Sequence, residues 1–112
     1  MKRKILFICS GGLDRSPAAE ELVNGEFSDK YEAKSCGLYP LFSSNVVTKQ
    51  ALRCADLIFV MEPRHKADIL ERFPLFVKDK PEIIVLNVEN EDVRNDPKLR
   101  EILKDKLRKL LK

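Results

Sequence analysis

Tryptophan is absent, histidine occurs once and glycine only four times in the 112 residues. One His and no Cys-x-x-Cys leave too few ligands for a zinc centre, and no cofactor is expected. No apolar run approaches the ~20 residues that a bilayer span needs, so no membrane partner is expected. Lys2-Arg3-Lys4 ahead of Ile5-Leu6-Phe7-Ile8 faintly imitates a secretory leader, but the apolar part is too short and a Gly-rich turn ends it. Cysteine is sparse as well. Three residues, odd in number and without paired spacing, make no disulfide scaffold and point to a reducing, cytoplasmic setting. Charge of one sign is lacking too. Lys and Arg number 21 against 18 Asp and Glu, a net +3, too small an excess to indicate a nucleic-acid partner.

What is present is a chain 44% hydrophobic, enough for a real core, and of a length that predicts one domain over residues 1–112. Lys4 to Cys9 is a continuous apolar run, as in a strand buried on both faces. Ser16-Pro17 predicts a helix with Pro at its first position, carrying Ala19, Leu22, Val23 and Phe27 at helical spacing. Tyr31 to Cys36 reads as a short strand closed by Gly37, and Thr48 as the cap of a helix through Leu52. Asp56 to Met61 and Ile83 to Leu86 are two further strands. Pro63 starts a helix with Ala67, Leu70 and Phe73 on one face. Leu99, Ile102, Leu103, Leu107, Leu110 and Leu111 stripe a closing helix. Residues 98–112 hold seven basic and two acidic side chains, read as a solvated face over that stripe, with docking of an acidic partner or membrane surface as the alternative.

The order βαβαβαβα predicts an α/β fold with a parallel sheet and helices on both faces. In such folds the loops at the carboxyl ends of the strands build the site. The sharpest of these loops is Cys9-Ser10-Gly11-Gly12-Leu13-Asp14-Arg15-Ser16-Pro17. Amides from Ser10 through Gly11, Gly12, Leu13 and Asp14 to Arg15 can curl into a nest for an anion. Gly11 and Gly12 permit the tight turn and a close approach of backbone to ligand. The helix that follows adds its positive end, and Arg15 can fork two donors onto phosphate oxygens. The same field favours a thiolate at Cys9, to which Ser16 could donate a hydrogen bond. Such a thiolate can attack phosphorus in line and expel an alcohol. The expelled oxygen needs a proton, and Asp96, in Asn95-Asp96-Pro97, is the candidate acid, with a plain cap before Pro97 as the alternative. Cys36 and Cys54 lack the pattern, since the residues six further on are Phe42 and Val60.

Together these residues resemble a low-molecular-weight protein tyrosine phosphatase, and more narrowly a short prokaryotic predicted-phosphatase branch of that superfamily. The resemblance runs through Ile5-Leu6-Phe7-Ile8-Cys9, Arg15-Ser16-Pro17-Ala18-Ala19-Glu20, Ser35-Cys36-Gly37, Ala55-Asp56-Leu57-Ile58-Phe59-Val60-Met61 and Asp96-Pro97. It implies a three-layer sandwich around a four-stranded parallel sheet in the order 2-1-3-4. It implies Cys9 as nucleophile, Arg15 as phosphate clamp, Ser16 as thiolate partner, Asp96 as general acid, and no metal. The expected substrate is a phosphorylated protein or a small aryl phosphate, and the expected assembly a monomer or weak dimer.

The departures are informative. Asp14 stands where standard members carry a second loop cysteine, and it brings negative charge to an anion site. Gly12 stands where an Asn is usual, a benign exchange at a left-handed position. Lys98 replaces a Tyr that commonly walls the cleft. Tyr39 and Phe42 are candidates for that wall, with core packing as the even alternative. Cys36 is a possible redox partner: if strands one and two are parallel neighbours ~4.8 Å apart, a reversible Cys9–Cys36 disulfide would protect the nucleophile. Cys54 reads as structural and His65 as a solvated first turn, with contact to the substrate as the alternative. Three other functions share parts of the pattern. A phosphocysteine carrier needs neither Arg15 nor Asp96. An arsenate reductase needs relay cysteines that Met61-Glu62-Pro63-Arg64 does not offer. A catalytically silent phosphate-binding module would follow from Asp14.

Overall fold

The computed structural model describes residues 2–9, 15–38, 46–74, 83–87 and 97–111. Its elements in chain order are β1 (Arg3–Cys9), α1 (Arg15–Glu26), β2 (Tyr31–Gly37), α2 (Lys49–Cys54), β3 (Leu57–Val60), α3 (Pro63–Arg72), β4 (Ile83–Val85) and α4 (Pro97–Leu110). The strands form one parallel sheet in the order β2-β1-β3-β4. The register pairs Ile8 with Cys36 and Cys9 with Gly37 on one side of β1, and Ile8 with Val60 on the other. Asp56 fixes the start of β3 against β1. Its carboxylate accepts from the Lys4 N–H at 2.8 Å, and its own N–H donates to the Lys4 carbonyl at 2.8 Å. Asp56 therefore precedes the strand that the sequence had it begin.

Side-chain alternation sorts the core into two layers. On one face Ile5, Phe7, Cys9 and Phe59 meet Ala18, Ala19, Leu22 and Val23 of α1 and Leu103 and Leu107 of α4. Phe7 and Phe59 are fully buried there, and their rings stack with centroids 5.4 Å apart. On the other face Leu6, Ile8, Cys36, Ile58 and Val60 meet Leu52 of α2 and Ile69 of α3. Because both faces are covered, β1 is buried without interruption from Ile5 to Cys9, which is why it reads as an unbroken apolar run.

The open edge of β2 is closed by a side chain. Asn24 of α1 donates its amide to the Ala33 carbonyl at 3.1 Å and accepts from the Ala33 N–H at 2.9 Å. The amide thus occupies the ladder position that a further strand would take.

Several sequence expectations are corrected. Helix α1 begins at Arg15, so Pro17 is its third residue rather than its first. A proline is still tolerated there, because first-turn N–H groups have no intrahelical acceptor. Helix α3 buries His65 and Ile69, while Leu70 is 47% exposed. The buried stripe is displaced because its first member is a histidine, which a count of apolar residues skips. Leu110 is likewise exposed, and the stripe of α4 continues through Leu103, Leu107 and Leu111 at four-residue spacing. Cys54, read as structural, is exposed at the end of α2. Thr48 caps α2 as expected, accepting from the Ala51 N–H at 3.0 Å.

Candidate active site

The carboxyl ends of the strands are tied together in a row. The Leu38 N–H donates to the Cys9 carbonyl at 2.8 Å, Met61 N–H to Ile8 at 3.2 Å, and Leu86 N–H to Val60 at 2.8 Å. Cys9 is the last residue of β1, one of the two inner strands of the sheet, and its side chain is 3% exposed. Alternation turns it to the face that α1 covers, together with Ile5 and Phe7. Six residues later α1 begins at Arg15. Ala18 and Ala19, in its opening turns, are fully buried in the same cluster as Cys9. Side chains this small let the start of the helix sit close to the sheet. The cysteine therefore lies on the side toward the positive end of a twelve-residue helix.

Cys36 takes the opposite position. Its register partner is Ile8, one residue before Cys9, so its side chain belongs to the α2–α3 face. Both cysteines are reduced thiols. Cβ vectors on opposite faces cannot close a disulfide without backbone movement. The Cys9–Cys36 disulfide expected from strand adjacency is corrected on that ground: neighbouring strands place their ends together, but a one-residue offset places side chains apart. Burial, and after it the charge of Cys9, pushes the Cys36 thiol up to about 12. It stays protonated and poorly nucleophilic at neutral pH.

His65 is the residue that sequence reasoning missed. It was read as a solvated first turn, yet it is completely buried. Its Nδ1 accepts the Glu62 N–H at 3.2 Å, which puts the proton of the neutral ring on Nε2. That nitrogen lies 3.6 Å from the Glu62 carboxylate, which also holds Arg64 at 3.2 Å. The only legible signal was Glu62-Pro63-Arg64-His65 itself: a Pro-opened helix whose third residue can turn back on the residue before it.

No protein-family model matches the chain, and no curated protein does. Solved structures do. YwlE arginine phosphatase from Geobacillus stearothermophilus superposes with a TM-score of 0.71 at 23% identity, over 96% of this chain and 92% of that one. A low-molecular-weight protein tyrosine phosphatase from T. tengcongensis gives 0.73 at 21% identity, over 98% and 100%. The tyrosine phosphatase Wzb from Escherichia coli K30, solved with sulphate, gives 0.71 at 19% identity, over 98% and 96%. The fold is that of the low-molecular-weight protein tyrosine phosphatases.

In this phosphatase fold the strand order 2-1-3-4 expected from the sequence is the observed one. Cys9 and the start of α1 at Arg15 and Ser16 are the expected site residues that the structure brings to one edge. Ser10, Gly11, Gly12, Leu13, Asp14, Tyr39, Phe42 and Asp96 lie outside the described residues. Pro97, directly after Asp96, opens α4 as expected. A cavity of about 300 Å³ sits elsewhere, beside Lys4, Leu6, Lys34, Thr48 and Ala51. Among the described residues no helix is long and apolar enough to cross a membrane. Nor does any group of three or more His, Cys, Asp or Glu among them form a metal cradle.

Proposed function

We propose that residues 1–112 form one cytoplasmic catalytic domain, a phosphomonoester hydrolase that works through a phosphocysteine on Cys9. The observation that carries this reading is the placement of Cys9 at the end of β1, on the α1 face, six residues before α1 begins at Arg15. A tetrahedral oxyanion bound at that helix terminus would stand above the sulfur. In the first step the Cys9 thiolate attacks phosphorus in line and the bond from phosphorus to the alcohol oxygen breaks. Asp96 gives its proton to that oxygen. In the second step water attacks the phosphocysteine, Asp96 takes the proton, and inorganic phosphate leaves with the thiolate restored. Arg15 and the loop amides from Ser10 onward hold the equatorial oxygens, where charge accumulates. Ser16 donates to the sulfur. Tyr39 and Phe42 wall an aryl leaving group, so phosphotyrosyl proteins and small aryl phosphates are the substrate class.

The test is turnover of para-nitrophenyl phosphate without added metal. Vanadate inhibits it, Cys9→Ser abolishes it, and Asp96→Ala slows it by about 10²–10⁴-fold on substrates with poor leaving groups. Full activity in Cys9→Ser would end the covalent mechanism. Full activity in Asp96→Ala would remove Asp96 from the acid role. A phosphoarginine peptide is run in parallel, because one of the solved structures above is an arginine phosphatase.

A further inference from the structure

We propose that the cavity between α2 and the amino-terminal halves of β1 and β2 is a binding site for a small organic anion, a carboxylate or phosphate head on an apolar body. It lies toward the end of β1 away from Cys9 and on the opposite face of the sheet, so it does not depend on the phosphatase reading above. Leu6, Ile8 and Cys36 belong to the α2–α3 face. Alternation and register put Lys4, Glu32 and Lys34 on that same face, because Lys4 pairs with Glu32 and Leu6 with Lys34. Toward the carboxyl ends of the strands this face is apolar and closed by Leu52 and Ile69. Toward the amino ends it meets the small side chains of Ala51 and Ala55, and Lys4, Glu32 and Lys34 stay exposed. The gap that results is about 300 Å³, at the lower end of the range of ligand sites. A water in the liquid takes about 30 Å³, so the gap holds about ten waters, or a ligand of about eight to fifteen heavy atoms.

The charges around the gap select the ligand. Lys4 and Lys34 stand diagonally, two residues along and one strand across, which separates their Cβ atoms by about 8 Å. Four-carbon stems let both ammonium groups reach one anionic head. Among the described residues neither ammonium group is engaged in an ion pair. Glu32, opposite Lys4, offsets one of the two charges, and the Asp56 carboxylate beside Lys4 is engaged by the Lys4 N–H at 2.8 Å. The charged groups that line the cavity are thus two basic and one acidic, which favours an anion over a cation. Thr48 adds a donor: its Oγ1 accepts the Ala51 N–H at 3.0 Å, which leaves the hydroxyl proton for a ligand. Leu6, Ala51 and Ala55 supply the apolar floor on which the body of the ligand rests. Cys54, exposed at the end of α2, lines the same cavity, so its alkylation reports whether the space is filled.

The experiment follows alkylation of Cys54 by iodoacetamide in the full chain, read by peptide mapping, with benzoate, phenylphosphonate or benzylammonium present. Amide chemical shifts of Lys34 and Ala51 give the binding constants without use of the thiol. An anion that binds slows alkylation about fivefold at saturation, half-maximally at about 1 mM, whereas benzylammonium leaves the rate within about twofold. The tighter of the two anions names the head group. Lys4→Gln and Lys34→Gln each weaken anion binding about five- to tenfold, while Glu32→Gln tightens it about twofold. Ala51→Leu fills the space and abolishes binding, with the thermal unfolding midpoint unchanged. No saturable effect of either anion on the rate or on the shifts overturns the proposal. So does equal protection by benzylammonium, and so does anion binding that Lys4→Gln and Lys34→Gln leave unchanged.

Discussion

Cys9 and Cys36 stand one register step apart on adjacent strands, at the same end of the sheet, and the fold gives them opposite fates. Cys9 turns to the face where a helix begins. Cys36 turns to the face packed by Leu52 and Ile69, where burial and the neighbouring charge keep it a thiol. Composition and adjacency do not separate them. The two-residue period of a strand does, because it decides which face, and therefore which helix, each sulfur meets.

The largest way to break the comparison is to remove the core beneath the Cys9 face. Phe59→Ala deletes one ring of the stacked pair and is expected to cost about 3–5 kcal/mol. Ile69→Val on the opposite face should cost only about 0.5–1.5 kcal/mol. Urea denaturation of the two variants measures both; similar losses would mean that the Phe7–Phe59 pair does not set the Cys9 layer apart.

The next effect is a dependence on pH. The Cys36 thiol ionises in the unfolded chain near its ordinary value of 9.0 and in the folded chain near 12. Between those values the folded state holds a proton that the unfolded state has lost. Stability contributed by this group is full below pH 9 and falls as pH rises, at about 1.4 kcal/mol per unit. The slope from pH 9 upward should be shallower by that amount in Cys36→Ala than in wild type. Equal slopes would remove Cys36 from its buried, protonated role.

Smaller still is the edge clamp on β2. Asn24→Ala strips both partners from the Ala33 peptide and should cost about 1–2 kcal/mol, with faster exchange of the Ala33 amide as its signature. An unchanged amide would show that the edge does not rely on Asn24. At the bottom of the scale, Leu70→Ser should change stability by less than about 0.5 kcal/mol, since the side chain is exposed. A larger loss would restore Leu70 to the buried stripe assigned from its spacing.

Residues whose pattern has one physical cause were legible in the sequence. The run Ile5-Leu6-Phe7-Ile8-Cys9 announces a doubly covered strand, and Thr48 announces a cap. Cys9 and Arg15 stood out because a strand, a turn and a helix start fall in order around them. His65 was missed for a different reason. A count of apolar positions passes over a histidine, whose Nδ1 accepts the N–H of Glu62 three residues back and whose burial follows from the packing of α3 on the sheet. Cys36 was misjudged for a related reason: strand adjacency is readable from topology, but the face is set by a register that only pairing fixes.

The central claim is that the sulfur of Cys9 carries the phosphoryl group during turnover. Rapid acid quench of the wild-type chain during hydrolysis of para-nitrophenyl phosphate, followed by peptide mapping by mass spectrometry, reads this directly. The expected result is one phosphoryl group on the peptide containing Cys9, which accumulates in Asp96→Ala and is absent from Cys9→Ala. Turnover with an unmodified Cys9 peptide, or with the phosphoryl group on another residue, would contradict it.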